Sequence, residues 1–167
     1  ERLGMRPGLI EDISGIMARR FWNHETQPSD AATMAAEKAI EEADMVVLGP
    51  GDLYTSLLAN CVVGGVPEAI QASKAQFVFV TNLMTSQGQT HDMTAKDHIH
   101  EVFTYVGRAP DTVVVNTGTV PEDLLARYAD ACQFPVVDDV DTVACNIVRA
   151  DLLDDEPVIK KEGDVLQ

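Results

Sequence analysis

The sequence lacks the long apolar runs and the short motifs that mark several protein classes. No apolar stretch in its 167 residues approaches the roughly 18 residues of a membrane-spanning helix, so we expect no span. The phosphate loop G-x-x-x-x-G-K-[ST] and the dinucleotide-binding turn G-x-G-x-x-G are both missing. A G-x-S-x-G nucleophile elbow is missing as well, so the sequence gives no support for covalent catalysis of that kind.

Basic residues are also scarce. Twelve Lys and Arg residues stand against 27 Asp and Glu residues, and the net charge is −15. Such a field repels polyanions, so we expect neither nucleic acid nor an anionic membrane surface as a partner. A bound phosphate group would have to be held by backbone N–H groups, a helix N-terminus or a bridging cation.

Cysteine is rare, and the three residues present, Cys61, Cys132 and Cys145, are far apart in the chain. They form no C-x-x-C pair, so the spacing indicates neither a disulfide framework nor a zinc site. Their apolar neighbours predict small buried hydrophobic side chains. Unpaired cysteines fit a reducing compartment, and we predict a cytoplasmic location.

Short apolar runs alternate with helix-forming stretches through most of the chain. Residues 1–28 are predicted to be irregular or edge structure, and residues 29–167 to form one domain. Strands are predicted at residues 45–48, 76–82, 112–116 and 146–149, and helices at 31–43 (with Ser29 as N-cap), 53–60, from 67, 94–105 and 121–131. This alternation predicts the α/β class: a Rossmann-like three-layer αβα fold with a mainly parallel sheet.

Polar or small residues follow the three clearest predicted strands, which end at Gly49, Asn82 and Asn116. Ligands of open parallel sheets bind beyond the carboxyl ends of the strands, so these loops are the predicted site. An Asn side chain offers both a donor and an acceptor to a base or a ribose. The alternative, that each Asn caps its own loop, predicts the same residue types.

The first of these loops is Gly49-Pro50-Gly51-Asp52-Leu53-Tyr54-Thr55-Ser56, referred to below as the 49–56 loop. Glycines between a strand and a helix let the backbone approach a ligand closely and direct free N–H groups toward it. The hydroxyls of Thr55 and Ser56 could add donors to a phosphate or a sugar. An ordinary tight strand-to-helix connection remains the alternative.

Histidine and aspartate cluster later in the chain, at His91, Asp92, Asp97, His98 and His100. Their spacing matches no specific metal motif, and helix capping within Thr94-Ala95-Lys96-Asp97 explains Asp97. We therefore predict no metal site.

With these residues in view, the chain resembles the superfamily of 2-phospho-L-lactate transferase and the bacterial gluconeogenesis factor, most closely the second branch. The similarity runs from about residue 43 to 151, and more weakly to about 161. It is carried by Ala43-Asp44-Met45-Val46-Val47-Leu48 with the 49–56 loop, by Asn82-Leu83-Met84-Thr85-Ser86-Gln87-Gly88-Gln89-Thr90, by Thr94-Ala95-Lys96-Asp97-His98-Ile99, by Val115-Asn116 and by Pro121-Glu122-Asp123-Leu124-Leu125-Ala126-Arg127-Tyr128.

The resemblance implies a Rossmann-like domain that binds a nucleotide or a nucleotide-sugar. The gluconeogenesis-factor branch implies a regulatory protein that binds a uridine nucleotide-sugar and is linked to carbon metabolism and cell shape. The transferase branch implies an enzyme of deazaflavin cofactor synthesis that acts on a guanosine diphosphate conjugate with Mg²⁺. Whether the chain is an enzyme stays open, and a truncated domain that associates with itself is a third interpretation.

The resemblance also implies that Tyr128 contacts the nucleotide and that a basic residue near Lys160 does so, where the family usually has Arg. Asp52 stands where the family often has Ser, and an acid there favours a bridging cation or a neutral sugar contact. Residue patterns and resemblance together predict ligand contacts at Gly49, Gly51, Asp52, Tyr54, Thr55, Ser56, Asn82, Thr85, Asn116, Tyr128 and Lys160.

One expected feature of the superfamily, a glycine-rich phosphate loop on the first strand, has no counterpart. Gly4, Gly8 and Gly15 are not clustered. We therefore expect that this chain contains only part of the ligand pocket, either as a fragment of a longer protein or as a reduced relative.

Overall fold

The computed structural model describes residues 25–154, together with Asp12 and Gly15. Backbone contacts divide the chain into two units, Glu1–Ala32 and Thr33–Gln167. The irregular segment predicted for residues 1–28 lies almost wholly outside the described residues, and so does Lys160. The predicted domain limits therefore stay predictions.

The described part of the chain alternates helices and strands, as the apolar pattern predicts. The first helix, α1, is Pro28–Glu42, and the others are α2 (Leu53–Cys61, π-helical over Leu53–Leu58 and α-helical over Ala59–Cys61), α3 (Val66–Ala72), α4 (Ala95–Val106) and α5 (Glu122–Asp130). The strands are β1 (Met45–Leu48), β2 (Gln76–Val80), β3 (Thr112–Asn116) and β4 (Asn146–Ala150). A 3₁₀ turn, Val140–Thr142, precedes β4.

The four strands form one parallel sheet in the order β1-β2-β3-β4. Leu48 lies beside Phe79, Val80 beside Val114, and Val114 beside Val148. Parallel pairing requires a crossover between consecutive strands, and the intervening helices provide it. The predicted α/β class with a parallel sheet is confirmed.

The core lies on one face of the sheet. Phe77 and Phe79 of β2 are fully buried against Val113 and Val115 of β3. The apolar sides of the crossover helices cover this face, through Leu53, Leu57, Leu58 and Cys61 of α2, Ile70 of α3, and Ala95, Ile99, Val102 and Val106 of α4. Side chains alternate along a strand, so Met45 and Val47 point to the opposite face, where they are 52% and 55% exposed.

Local capping fixes the start of α4 as the sequence predicts. The Thr94 hydroxyl accepts from the N–H of Asp97, while the Asp97 carboxylate accepts from the N–H of Thr94 at 2.9 Å. These two bonds form a complete capping box. The predicted N-cap at Ser29 is wrong, because α1 already begins at Pro28 and the Asp30 carboxylate accepts from the N–H of Gln27.

The side chain of Arg108 stabilises the edge of the sheet at which the strands begin. Its guanidinium donates to the carbonyls of Ile70, Ser73 and Ala75 and to the Asp111 carboxylate, 2.7 Å away. It also stacks over the Phe77 ring, 5.9 Å from the centroid. One side chain thus joins the end of α3 to the turn before β3, because a guanidinium carries five donors in a fixed plane.

The cysteines are free and differ in their surroundings. Cys61 is buried in the core, and burial raises the pKa of its thiol. Cys132 is exposed, with a φ of 53°, so the prediction that all three cysteines are buried is wrong there. Its position in the tight turn after α5, rather than its apolar neighbours in sequence, determines its exposure.

Within the described part of the chain, no single helix has the length and apolar composition needed to cross a membrane. The bent pair formed by Leu53–Cys61 and Val66–Ala72, at 73° to each other, passes the same test only as a pair.

Candidate functional site

Three loops meet at the carboxyl edge of the sheet. Because the strands are parallel and in register, the residues that follow β1, β2 and β3 emerge side by side at this edge. They are the 49–56 loop, the segment from Asn82 to Thr90 (the 82–90 loop), and residues 116–118. The sheet therefore brings together most of the site residues that the sequence predicts.

Gly49 lets the first loop turn tightly against the neighbouring strand. Its φ is +95°, and a Cβ at this position would lie 2.5 Å from the carbonyl oxygen of Val80. That oxygen belongs to backbone and cannot move aside as a side chain could. A glycine is thus required here both by conformation and by space.

The 49–56 loop leads directly into α2. The carbonyl oxygen of Asp52 accepts from the N–H groups of Ser56 and Leu57, at 2.9 and 3.1 Å. The N–H groups of residues 53–55 precede this first turn of the helix, where backbone donors have no helical acceptor. The side chains of Asp52, Thr55 and Ser56 are exposed, whereas Leu53 is buried and anchors the loop.

Tyr54 is held by α4. Its hydroxyl is hydrogen bonded to the Glu101 carboxylate, and its ring meets the ring of Tyr105 edge-on at 6.4 Å. Burial, followed by this hydrogen bond, raises the pKa of Tyr54 to about 12. Tyr54 thus helps to fix the position of the loop, and its predicted ligand contact stays a prediction.

The 82–90 loop is closed by its own hydrogen bonds and is tied to the segment before the 3₁₀ turn. The Thr90 hydroxyl accepts from the N–H of Ser86. The Thr85 hydroxyl accepts from the N–H of Phe134, while the N–H of Thr85 donates to the carbonyl of Phe134 at 2.7 Å. Thr85 therefore has a structural role in the loop, and its predicted ligand contact stays a prediction.

The 49–56 and 82–90 loops are joined by a long hydrogen bond. The Thr55 hydroxyl donates to Oε1 of Gln89 at 3.5 Å, the limit for such a bond.

The two asparagines at the strand ends differ in their hydrogen bonding. Asn116 Oδ1 accepts from the N–H groups of Gly118 and Leu152, and Asn116 Nδ2 donates to the Gly118 carbonyl at 2.9 Å. This is the loop-capping arrangement. The Oδ1 atom of Asn82, by contrast, is buried and has no hydrogen-bond partner among residues 25–154.

Tyr128 lies on α5, the helix that follows the third loop, and is 39% exposed. The carbonyl of Tyr128 accepts from the N–H of Gln133, and the neighbouring Phe134 is bonded to Thr85. Tyr128, for which the family resemblance implies a nucleotide contact, is thus connected to the 82–90 loop through a short turn. Lys160, near which the resemblance implies a second nucleotide contact, falls outside the described residues.

No group of three or more His, Cys, Asp or Glu side chains that could hold a metal ion occurs within the described ranges. Asp97 is used in the capping box, where the hydrogen bond from the Thr94 N–H lowers its pKa. His91 and Asp92 form an exposed pair, with 3.3 Å between Nε2 and Oδ2. The histidines and aspartates of this segment therefore have separate surroundings.

Sequence reasoning does not predict two further features, the ion pairs of Arg149 and the burial of His98. Arg149 of β4 forms ion pairs with Asp138 and Asp141, each with a contact of 2.6 Å. His98 is completely buried on the inner side of α4. Its helical spacing with Ile99 and Val102 carries a signal for burial, but nothing in the sequence indicates how its ring nitrogens are bonded.

The family model described as 2-phospho-L-lactate transferase CofD matches residues 12–153. Among known proteins, the gluconeogenesis factor of Listeria innocua is 45% identical over 91 residues, which are 54% of this chain and 28% of that protein. The gluconeogenesis factor of Halalkalibacterium halodurans is 39% identical over 103 residues, 61% of this chain and 32% of that protein. The matched part thus spans about a third of these relatives.

A crystal structure of a member of the UPF0052 family from Bacillus halodurans shares the fold. The two structures give a TM-score of 0.67 at 33% sequence identity, and the match covers 70% of this chain and 39% of that chain. The family model extends over most of the chain, and it includes all three loops at the carboxyl edge. The chain belongs to the 2-phospho-L-lactate transferase CofD family.

Proposed function

We propose that this chain contributes part of a nucleotide or nucleotide-sugar binding site, at the carboxyl edge of its sheet, in a regulatory protein of the gluconeogenesis-factor type. Asn82 carries the proposal, because its buried Oδ1 has no partner among the described residues. A buried acceptor without a partner is unfavourable by about 1–3 kcal/mol, and a donor brought by a ligand would remove this penalty.

The surrounding loops support the same location. Gly49 brings the backbone close to β2, and the N–H groups of residues 53–55 lie ahead of the first helical turn. Such N–H groups suit phosphate oxygens in a protein whose net charge of −15 does not attract anions. The names of the relatives favour a link to carbon metabolism. The three free cysteines favour the cytoplasm as its compartment.

A second candidate function is phospholactyl transfer from a guanosine diphosphate conjugate. It is favoured by the description of the family model and by the exposed carboxylate of Asp52 in the 49–56 loop. Mg²⁺ is often bound by one or two carboxylates together with substrate phosphates. Asp52 would hold the cation in this case, and the cation would neutralise charge on the phosphates.

Titration calorimetry of the full-length protein with UDP-glucose, UDP and GDP, each with and without Mg²⁺, tests both candidates. The regulatory function predicts that uridine ligands bind without Mg²⁺ and are recovered unchanged. The transferase function predicts a preference for GDP, dependence on Mg²⁺, and product formation from a guanosine diphosphate conjugate. If none of the three nucleotides binds even at about millimolar concentration, both candidates are wrong and self-association becomes the remaining function.

A pair of variants locates the binding site. Asn82→Ala should weaken nucleotide binding by about 1–3 kcal/mol, since it removes the acceptor that lacks a partner. Asn146→Ala is the matched control, because Asn146 begins β4 at the opposite edge of the sheet. Equal affinities of the two variants would place the ligand elsewhere.

A further inference from the structure

The inner side of α4 contains a buried histidine, and one of its ring nitrogens has no hydrogen-bond partner among the described residues. His98 is 0% exposed, and its Nδ1 lies 2.8 Å from the carbonyl oxygen of Thr94. A carbonyl oxygen can only accept a hydrogen bond, so Nδ1 carries the proton. Nε2 of the neutral ring is then an acceptor, and it has no partner in the part of the chain that the structure describes.

The position of His98 connects it to the candidate site. His98, Glu101 and Tyr105 follow one another at helical spacings of three and four residues, so they share one row of α4. Glu101 and Tyr105 are the residues that hold Tyr54 of the 49–56 loop. Because α4 begins at the carboxyl edge of the sheet, His98 lies one helical turn closer to that edge than Glu101 does.

Two buried acceptors, Nε2 of His98 and Oδ1 of Asn82, therefore have no partner among the residues that the structure describes. Buried polar atoms in folded proteins are nearly always paired, so each of these two requires a donor. A phosphate cannot supply one, because its ionised oxygens are themselves acceptors. Hydroxyl groups of a sugar and N–H groups of a base can.

We propose that His98 is a ligand-binding residue of this site, and that its Nε2 accepts a hydrogen bond from a hydroxyl or N–H group of the sugar or base. This assignment rests on the proposed nucleotide-binding function. The phosphate groups then face the N–H groups of residues 53–55, and the neutral part of the ligand faces His98 and Asn82. His98 thus selects ligands that carry a donor at this position.

Contact between a ligand and Nε2 of His98 requires the chain around the ring to move. Nε2 is shielded from solvent, so a direct contact needs a shift of the chain above it.

Nitrogen-15 NMR of the imidazole rings tests the proposal in the folded wild-type protein. The spectrum of neutral His98 should show an unprotonated Nε2, and its resonance should shift when UDP-glucose is added to saturation. A shift with UDP as well assigns the donor to the base, and a shift with UDP-glucose alone assigns it to a sugar hydroxyl. The signal is identified by its loss in a His98 variant.

Substitutions of His98 distinguish the roles of its two ring nitrogens. His98→Asn keeps a donor where Nδ1 lies but lacks an acceptor at the Nε2 position, and it should weaken UDP-glucose binding about tenfold. His98→Gln places an amide at the Nε2 position and should bind within about threefold of the wild-type protein. His100→Asn, on the exposed side of the same helix, is the matched control and should bind normally.

The inference is overturned while the proposed function stands if UDP-glucose binds but leaves the Nε2 resonance of His98 unchanged. Equal binding by the wild-type protein and His98→Asn overturns it in the same way. If UDP, UDP-glucose and GDP all fail to bind the wild-type protein, the proposed function and this inference are both wrong. Should His98→Asn fail to fold, the wild-type NMR titration alone decides.

Discussion

At the scale of single residues, identical amino acids at similar positions have different roles. Asn82 and Asn116 both follow a strand at the carboxyl edge of the sheet, and the sequence predicts the same two alternatives for each. The structure separates them, since Asn116 uses its whole amide to cap a loop, while Oδ1 of Asn82 has no partner among the described residues. The difference depends on Gly118 and on the distant Leu152, so local sequence could not predict it.

The capping role of Asn116 predicts a loss of stability. Asn116→Ala removes three hydrogen bonds, to the N–H and carbonyl of Gly118 and to the N–H of Leu152. The unfolding free energy without ligand should fall by about 1–3 kcal/mol, because the backbone groups lose their partners. Urea denaturation monitored by circular dichroism measures this value. Asn82→Ala should not lower it, because the Oδ1 atom has no hydrogen bond to lose among the described residues, and an equal loss in both variants would contradict the distinction.

At the scale of helices and strands, prediction succeeds where the signal is local. β1 and β3 match their predicted bounds, because a run such as Thr112-Val113-Val114-Val115-Asn116 carries its own strand propensity. The π-helical start of α2 was missed. It arises where the carbonyl of Asp52 accepts from both Ser56 and Leu57, a geometry imposed by the packing of Leu53 and Leu57 in the core.

The capping box of α4 predicts a dependence of stability on pH. The hydrogen bond from the Thr94 N–H to the Asp97 carboxylate holds the pKa of Asp97 below its ordinary value of about 4. The stabilising contribution is therefore complete above that ordinary value and is lost as the pH falls through the lowered pKa. Asp97→Asn should reduce the unfolding free energy by about 0.5–1 kcal/mol at neutral pH, and by less in acid.

Thermal denaturation of the wild-type protein and Asp97→Asn between neutral and acid pH tests this dependence. Asp130→Asn, at the exposed end of α5, shows the effect of the same substitution away from a cap. A constant difference between the wild-type protein and Asp97→Asn at every pH would contradict the assigned role of the carboxylate.

At the scale of the whole molecule, charge and topology differ in how far sequence determines them. The net charge of −15 follows directly from composition. The parallel sheet follows from the alternation of strands and helices, but the order β1-β2-β3-β4 does not, since alternation is equally compatible with other strand orders. The sequence places the candidate site on several loops, and this stays a prediction, while the burial of its acceptors depends on how those loops pack together.

The acidity predicts an unusual response of nucleotide binding to salt. Anionic ligands are repelled at low ionic strength, and salt screens this repulsion, with a Debye length of about 10 Å at 0.1 M. UDP-glucose should therefore bind faster as NaCl is raised from about 0.02 to about 0.2 M, as measured by stopped-flow fluorescence. Uridine, which carries no phosphate, is the matched control and should respond little. Slower association of UDP-glucose at high salt would reveal a local cluster of basic groups.

The strand order also bears on how the sheet assembles during synthesis. Among the described strands, β2, β3 and β4 each pair with the strand made just before them, so none of these three pairings waits for a segment that leaves the ribosome later. Each new strand meets a finished edge as its template, and the helix between them has already been made to cover the growing core. Among these four strands, each addition therefore takes place at the edge formed by the strand made last.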